Sequence, residues 1–181
     1  MKNLLVLFLT IFVLASCSSS RESKTVKTEL KREKILAEQA ALKEAIETRQ
    51  FIVKFDRLYF RHGGWAQLKP RANFLIVDGK KAIVSSAYIG RSASTLPIEG
   101  IKVQGYYSDY EVINNSSKGL YEIKLKVSRG GDTFDLFLTV GKDGQCHTSL
   151  SSLRIDYVNY SGHVVPILPQ EFKSNTEVST I

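Results

Sequence analysis

The feature that most constrains this chain is a rhythm of alternating apolar residues broken by tight turns. "FLIVDGKKAIV" sets Asp78-Gly79 between two β-rich runs. A dipeptide of that type is a strong hairpin signal, because its residues accept the positive φ angles of a tight hairpin turn. "YEIKLKVSRGGDTFDLFLTV" turns at Gly130-Gly131, and "FLTVGKDGQCHTSL" turns at Lys142-Asp143-Gly144. Around the first of these, Tyr121, Ile123, Leu125 and Val127 share one face, and so do Phe134, Leu136, Leu138 and Val140. "FIVKFDRLYF" alternates in the same way, with Phe51, Val53 and Phe55 set against Ile52, Lys54 and Asp56. Successive side chains on a strand point to opposite faces, so each strand is expected to bury one face and wet the other. Consecutive hairpins build an antiparallel meander.

The expected fold is therefore mainly β, of α+β type. An N-terminal amphipathic helix precedes a meander of about eight or nine strands over residues 50–168. Such strands either close into a small barrel or curl as an open sheet over a helix, and alternation does not choose between the two. The helix is expected over residues 29–49, which lack Gly and Pro and are rich in Ala, Leu, Glu, Lys and Arg. Ile35, Leu42 and Ile46 fall on one face with Ala41 and Ala45 beside them, while Gln39 interrupts a second apolar register. That pattern suits a helix packed on the domain better than a coiled coil. Residues 17–28 read as a flexible tether and residues 169–181 as a polar tail.

The first sixteen residues read as a leader. Lys2 supplies a positive start, and "LLVLFLTIFVL" is an uncharged run too short to span a bilayer as a helix. Leu14-Ala15-Ser16-Cys17 resembles the lipobox of bacterial lipoproteins. That resemblance implies cleavage before Cys17 and a diacylglycerol on its thiol. Each buried methylene contributes about 0.8 kcal/mol, so several acyl chains hold a protein far more firmly than one.

Net charge is +7, and residues 51–100 carry most of the excess. Lys54, Arg57, Arg61, Lys69, Arg71, Lys80, Lys81 and Arg91 stand there against Asp56, Asp78 and Glu99. A basic surface can mean nucleic acid, but export excludes that partner. Envelope lipids and anionic glycans remain, as does a merely solvated basic face.

The search for chemistry assigns no catalytic residue, no metal ligand and no cofactor. His62, His147 and His163 are scattered, and Cys146 and His147 are consecutive on a strand, facing opposite ways. No G-x-S-x-G or phosphate-loop motif is present. Once Cys17 carries lipid, Cys146 is a lone thiol, expected to be a small buried hydrophobe. Asp132 and Asp135 are three apart and face opposite ways, while Asp109 and Glu111 read as solvent-side charges. What remains is an aromatic and basic neighbourhood, from which His62, Trp65, Tyr88 and Arg91 are the candidate ligand-binding residues.

The order of parts resembles the Bacteroides-type lipoproteins of domain of unknown function family 4251. The matching pieces are the lipobox, the helix leading into Phe51-Ile52-Val53, the segment "NFLIVDGKKAIV", then "AYIGRSAS", "EGIKV" and "LRIDYVNYSG". The family's pattern has a proline before a Tyr-aromatic-Gly step, where this chain has Ala87-Tyr88-Ile89-Gly90. The resemblance implies a mostly β domain in the cell envelope, anchored to the outer membrane, and implies no activity. Surface-exported lipoproteins of that type carry an acidic run after the cysteine; here only Glu22 follows it, which points to the periplasmic face.

Three function classes follow. The first is a non-catalytic binding module for an envelope lipid, glycan or protein. The second is a structural protein that recruits envelope partners through its helix or a sheet edge. The third, a hydrolase using Cys146 or a carboxylate pair, has the least support.

Overall fold

A computed structural model describes residues 19–89 and 98–167. The leader, Cys17, Arg91 and the polar tail lie outside the described residues. The chain divides into two units, Met1–Glu38 and Gln39–Ile181.

Helix α1 runs over Ser19–Thr48. It starts at Ser19 rather than at residue 29, inside the stretch read as a tether. That stretch contains no Gly or Pro and several good helix formers, so nothing local stops the helix from extending. In the first unit, Leu30, Ile35 and Leu36 are exposed, so Ile35 is not part of a buried stripe. In the second unit, Leu42, Ala45 and Ile46 are buried. They are spaced i, i+3, i+4 and so form one compact contact face. The helix ends at Arg49, which takes the left-handed conformation at φ 60°. A non-glycine residue is disfavoured there. Its guanidinium lies 4.8 Å from the ring centroid of Tyr110, a cation–π contact that offsets part of the cost.

Nine strands follow: β1 Gln50–Tyr59, β2 Trp65–Gln67, β3 Phe74–Asp78, β4 Lys81–Ile89, β5 Ile98–Asn115, β6 Leu120–Arg129, β7 Asp132–Gly141, β8 Gln145–Ser152 and β9 Val158–Pro166. Neighbours pair antiparallel in the order β2-β1-β3-β4-β5-β6-β7-β8-β9, and β1 also pairs with β9. That last ladder, from Phe51↔Pro166 to Tyr59↔Asn159, closes the sheet. The fold is an eight-stranded antiparallel barrel of β1 and β3–β9, with β2 as an extra strand on β1 beyond the end of β3. Closure removes most of the free edge that an open meander would leave.

Two close approaches let so small a barrel turn its corners. β5 pairs with β4 up to Tyr106 and with β6 from Tyr107 onward. At Gly105, just before this change of partner, a Cβ would lie 2.3 Å from the Ser128 carbonyl oxygen. On the opposite seam, the β1–β9 register shifts between Phe55 and Arg57. Gly162 sits against this bulge, where a Cβ would lie 2.1 Å from the Lys54 carbonyl oxygen. Bulges and glycines at such points bend the sheet enough to close it.

The interior is filled by side chains. Phe51, Phe55, Leu75, Ile123, Leu138 and Tyr160 are all buried, and one continuous core joins them to Leu42 and Ile46 of the helix. Phe55 and Tyr160 stack with centroids 4.7 Å apart. Tyr121, Ile123, Leu125 and Val127 face inward, as expected, and so do Phe134, Leu136, Leu138 and Val140. The wet face departs from expectation at one patch. Ile52 and Ile76 belong to the outer wall by alternation, yet they are 1% and 2% exposed. Their register neighbours are Val165 and Ile83, so four strands place apolar side chains side by side.

Candidate functional site

The polar groups inside the barrel are already partnered. The Asn73 side-chain oxygen accepts from the Ala87 N–H at 2.8 Å and from the Ser86 hydroxyl at 3.4 Å, while its amide donates to the Lys69 carbonyl at 2.9 Å. Tyr160 Oη donates to the Ala87 carbonyl at 3.1 Å. Among the described residues no buried side-chain nitrogen or oxygen lacks a partner. Among the described residues an interior so packed offers a ligand no unsatisfied polar group. Binding chemistry has to be sought on the outer wall and the rims.

Of the sequence candidates, His62, Trp65 and Tyr88 lie among the described residues. Trp65 is at the start of β2, half exposed, and the Arg57 guanidinium lies 4.7 Å from its ring centroid. His62 is exposed in the tight connection between β1 and β2. There the Phe60 N–H donates to the Gly64 carbonyl at 3.1 Å and the Gly63 N–H donates to that of Phe60 at 3.2 Å. Tyr88 lies on the far half of β4, opposite Glu99 of β5. Arg91 lies outside the described residues. The hairpin thus holds His62 and Trp65 near one another in the chain, at the end of β1 far from Gln50. Arg61 of the same connection pairs with Asp156 at 3.3 Å and joins it to the β8–β9 loop. Phe60, Trp65, Leu153 and Tyr157 are exposed large apolar residues on these two elements.

The nucleophile readings resolve in physical terms. Cys146 is 1% exposed. Burial pushes its thiol up to about 12, and its Sγ lies 3.4 Å from Thr148 Oγ1. A thiol in that state is not a nucleophile at neutral pH. Cys146 pairs with Gly162, and the exposed His163 is the next residue along β9, so its ring lies on the other side of the sheet from the thiol. On the outer wall, Ser161 sits opposite His147 in register, but its hydroxyl donates to Asp56 Oδ1 at 2.9 Å and accepts from Tyr59 Oη at 3.3 Å. Asp109 and Glu111 are exposed and pair with Lys126 at 3.0 Å and Lys124 at 3.6 Å. Hydrogen bonding to Asp109 and its charge raise the Lys126 pKa. Among the described residues no group of three or more His, Cys, Asp or Glu converges as a metal site would need.

Two outer grooves were not found by sequence reasoning. One, of about 410 Å3, runs over β6, β7 and β8. Phe137, Tyr157, Ser149 and Ser151 line it, and its charges include the two ion pairs just described. The other, of about 520 Å3, lies over β4 and β5. Lys81, Lys102, Gln104, Tyr106 and Arg129 line it. Lys81 pairs with Tyr106 in register, and its ammonium lies 5.9 Å from that ring's centroid. Arg129 Nη1 donates to the Lys102 carbonyl at 3.0 Å. The basic excess of residues 51–100 is plain in the sequence, but Lys102, Tyr106 and Arg129 lie outside that stretch. Only strand pairing brings them beside Lys81.

No curated protein matches the chain. A solved structure of a DUF4251 family protein from Bacteroides eggerthii is similar at 20% identity, with a TM-score of 0.63, over 72% of this chain and 88% of that one. At that identity the likeness speaks for the fold. The family model described as "Domain of unknown function (DUF4251)" matches residues 33–164. With the helix end and nearly the whole barrel inside that match, the chain belongs to the DUF4251 family.

Proposed function

We propose that this protein is an outer-membrane lipoprotein, held through Cys17 and facing the periplasm, that acts as a non-catalytic binding module. The leader and lipobox-like residues support the anchor. The observation that carries the binding reading is the filled barrel. Its interior holds packed, fully partnered side chains, and its outer wall holds grooves of small-ligand size. The ligand is an envelope lipid, glycan or protein held on that wall. Two measurements test the proposal. Cys17→Ala should release the protein from membranes while the barrel still folds; a variant that stays membrane-bound overturns the anchor. In an array of envelope lipids and glycans, a bound ligand should shift NMR signals of outer-wall residues and spare those of Leu138 and Tyr160. Shifts centred on the interior overturn the outer-wall reading.

A second reading, recruitment of an envelope protein, is favoured by the apolar rim. Phe60, Trp65, Leu153 and Tyr157 are exposed on two elements tied by the Arg61–Asp156 pair. Exposed apolar groups gathered on one rim suit a protein partner. Crosslinking in cells at that rim decides it: no reproducible partner across growth conditions counts against recruitment.

A further inference from the structure

We propose that the basic groove over β4 and β5 binds a phosphate-bearing sugar, an inference that rests on the binding-module reading above. Lys81, Lys102 and Arg129 come from three successive strands and line one groove. No carboxylate is among the described residues that line it. The acids nearest in register are Asp78, opposite Lys81, and Asp132, opposite Arg129. Asp132 is already held by Arg154 Nε at 3.1 Å. The groove over β6–β8 makes the contrast plain, because its lysines are neutralised by its own carboxylates. Three cations lining one groove whose described lining residues include no carboxylate repel one another, and a multiply charged anion relieves that repulsion. A phosphate monoester carries about −1.5 to −2 charges near neutral pH and suits such a set better than a single carboxylate.

The groove is also preorganised. The Arg129 guanidinium is fixed by its bond to the Lys102 carbonyl, which uses one of five N–H donors. The close approach at Gly105 makes this reach possible. With no Cβ there, the β5 backbone lies against Ser128, and the next residue, Arg129, reaches β5 again at Lys102. A fork held in place loses less entropy when it grips an anion. Beside the cations, the Tyr106 ring is 68% exposed and offers a face for a sugar ring. The Gln104 amide both donates and accepts, as sugar hydroxyls require. The groove's volume of about 520 Å3 suits one such group.

The test uses the full chain with glucose 1-phosphate as probe, titrated by NMR at low and high salt beside glucose and inorganic phosphate. Glucose 1-phosphate should bind saturably, more weakly in high salt, and more tightly than either fragment. Arg129→Gln and Lys102→Gln should each weaken it about tenfold, as loss of a charge-assisted bond does. Lys81→Gln serves as a further variant should either fail to fold. Vesicles of phosphatidylcholine with and without lipid A, a phosphorylated disaccharide lipid, separate the two sources of the group. Preference of the Cys17→Ala chain for the lipid A vesicles assigns a lipid headgroup, and binding of the soluble probe alone assigns a free sugar phosphate. Binding to neither overturns the inference. An envelope ligand whose affinity survives Arg129→Gln and Lys102→Gln also overturns it, yet leaves the binding-module reading standing.

Discussion

Tyr160 on β9 reaches beneath β1 and β3 and donates its hydroxyl to the Ala87 carbonyl on β4, at 3.1 Å. The N–H of the same Ala87 donates to the Asn73 side chain at 2.8 Å. At this point β4 has run past the end of β3, whose pairing with it begins at Phe74↔Ser85. Three side chains, Tyr160, Asn73 and Ser86, whose hydroxyl donates to the same carbonyl at 3.3 Å, therefore complete what the missing strand would have supplied. A backbone group left unpaired in so dry a place would cost about as much as a lost hydrogen bond.

Removal of that hydroxyl should be felt. Tyr160→Phe keeps the ring stacked on Phe55 and leaves the Ala87 carbonyl with the longer Ser86 bond at 3.3 Å in place of this donor. The expected loss is about 1–2 kcal/mol. Tyr160→Ala also empties the core and should cost about 3–5 kcal/mol. Urea unfolding of the variants checks this, with the midpoint falling and the slope unchanged for Tyr160→Phe.

The seam between β1 and β9 should not tolerate a methyl group. Gly162→Ala would place its Cβ 2.1 Å from a backbone oxygen, which no rotamer change relieves. A loss of about 3 kcal/mol or more is expected, at the upper end for overpacking. Gly100→Ala is the control, because a Cβ there meets nothing within 4 Å. Thermal melts should separate the two plainly.

The barrel should weaken in alkali. Burial pushes the Cys146 thiol and the Tyr160 hydroxyl up to about 12, and raises Tyr110 as well, with the nearby Tyr107 adding to the shift and Arg49 opposing it. In the unfolded chain these groups release protons near their ordinary values, about 8.5 for Cys and 10 for Tyr. The folded state therefore holds more protons in the interval, and stability is full below about 8 and falls as pH rises towards about 12. Unfolding midpoints taken against pH should show this fall. Cys146→Ala should flatten its first part and leave the tyrosine part in place. In the native protein at pH 8 a thiol reagent should not reach Cys146, and after unfolding it should.

The end of helix α1 should matter more than its earlier turns. Ile46→Ala removes a side chain that is fully buried in the core, for an expected loss of about 2–5 kcal/mol. Ile35→Ala alters an exposed position and should stay within about 0.5 kcal/mol. Equal effects would show that Ile35 is packed after all.

The consecutive hairpins β3–β4 and β6–β7–β8 and their inward faces were legible in the sequence because each rests on a local rule, whereas β2 and the pairing of β1 with β3 were not. Asp78-Gly79 and Gly130-Gly131 make hairpins, and Ile123 or Leu136 faces inward because every second residue must. Cys146 was legible as buried for the same reason. The candidate site was not. Trp65 was singled out from an aromatic and basic neighbourhood, and it lies at the start of β2 against Arg57. Lys81, Lys102 and Arg129 were invisible as a group, because a cluster drawn from three strands has no spacing in the chain.

By itself, then, the sequence determined the local conformations: a helix without breakers, runs of period two, turns where glycine allows them. The tertiary structure decided the rest. Whether a meander of this length closes or stays open depends on one long-range ladder, Phe51 to Tyr59 against β9, and on two points where backbones nearly touch, Gly105 and Gly162. Neither is a property of any short stretch. Closure spends the interior on packing, since a barrel of eight strands is just wide enough for side chains to fill it. The same closure turns the remaining face of β4 and β5 outward, and there it sets Lys81 and Lys102 side by side, with Arg129 reaching in from the end of β6.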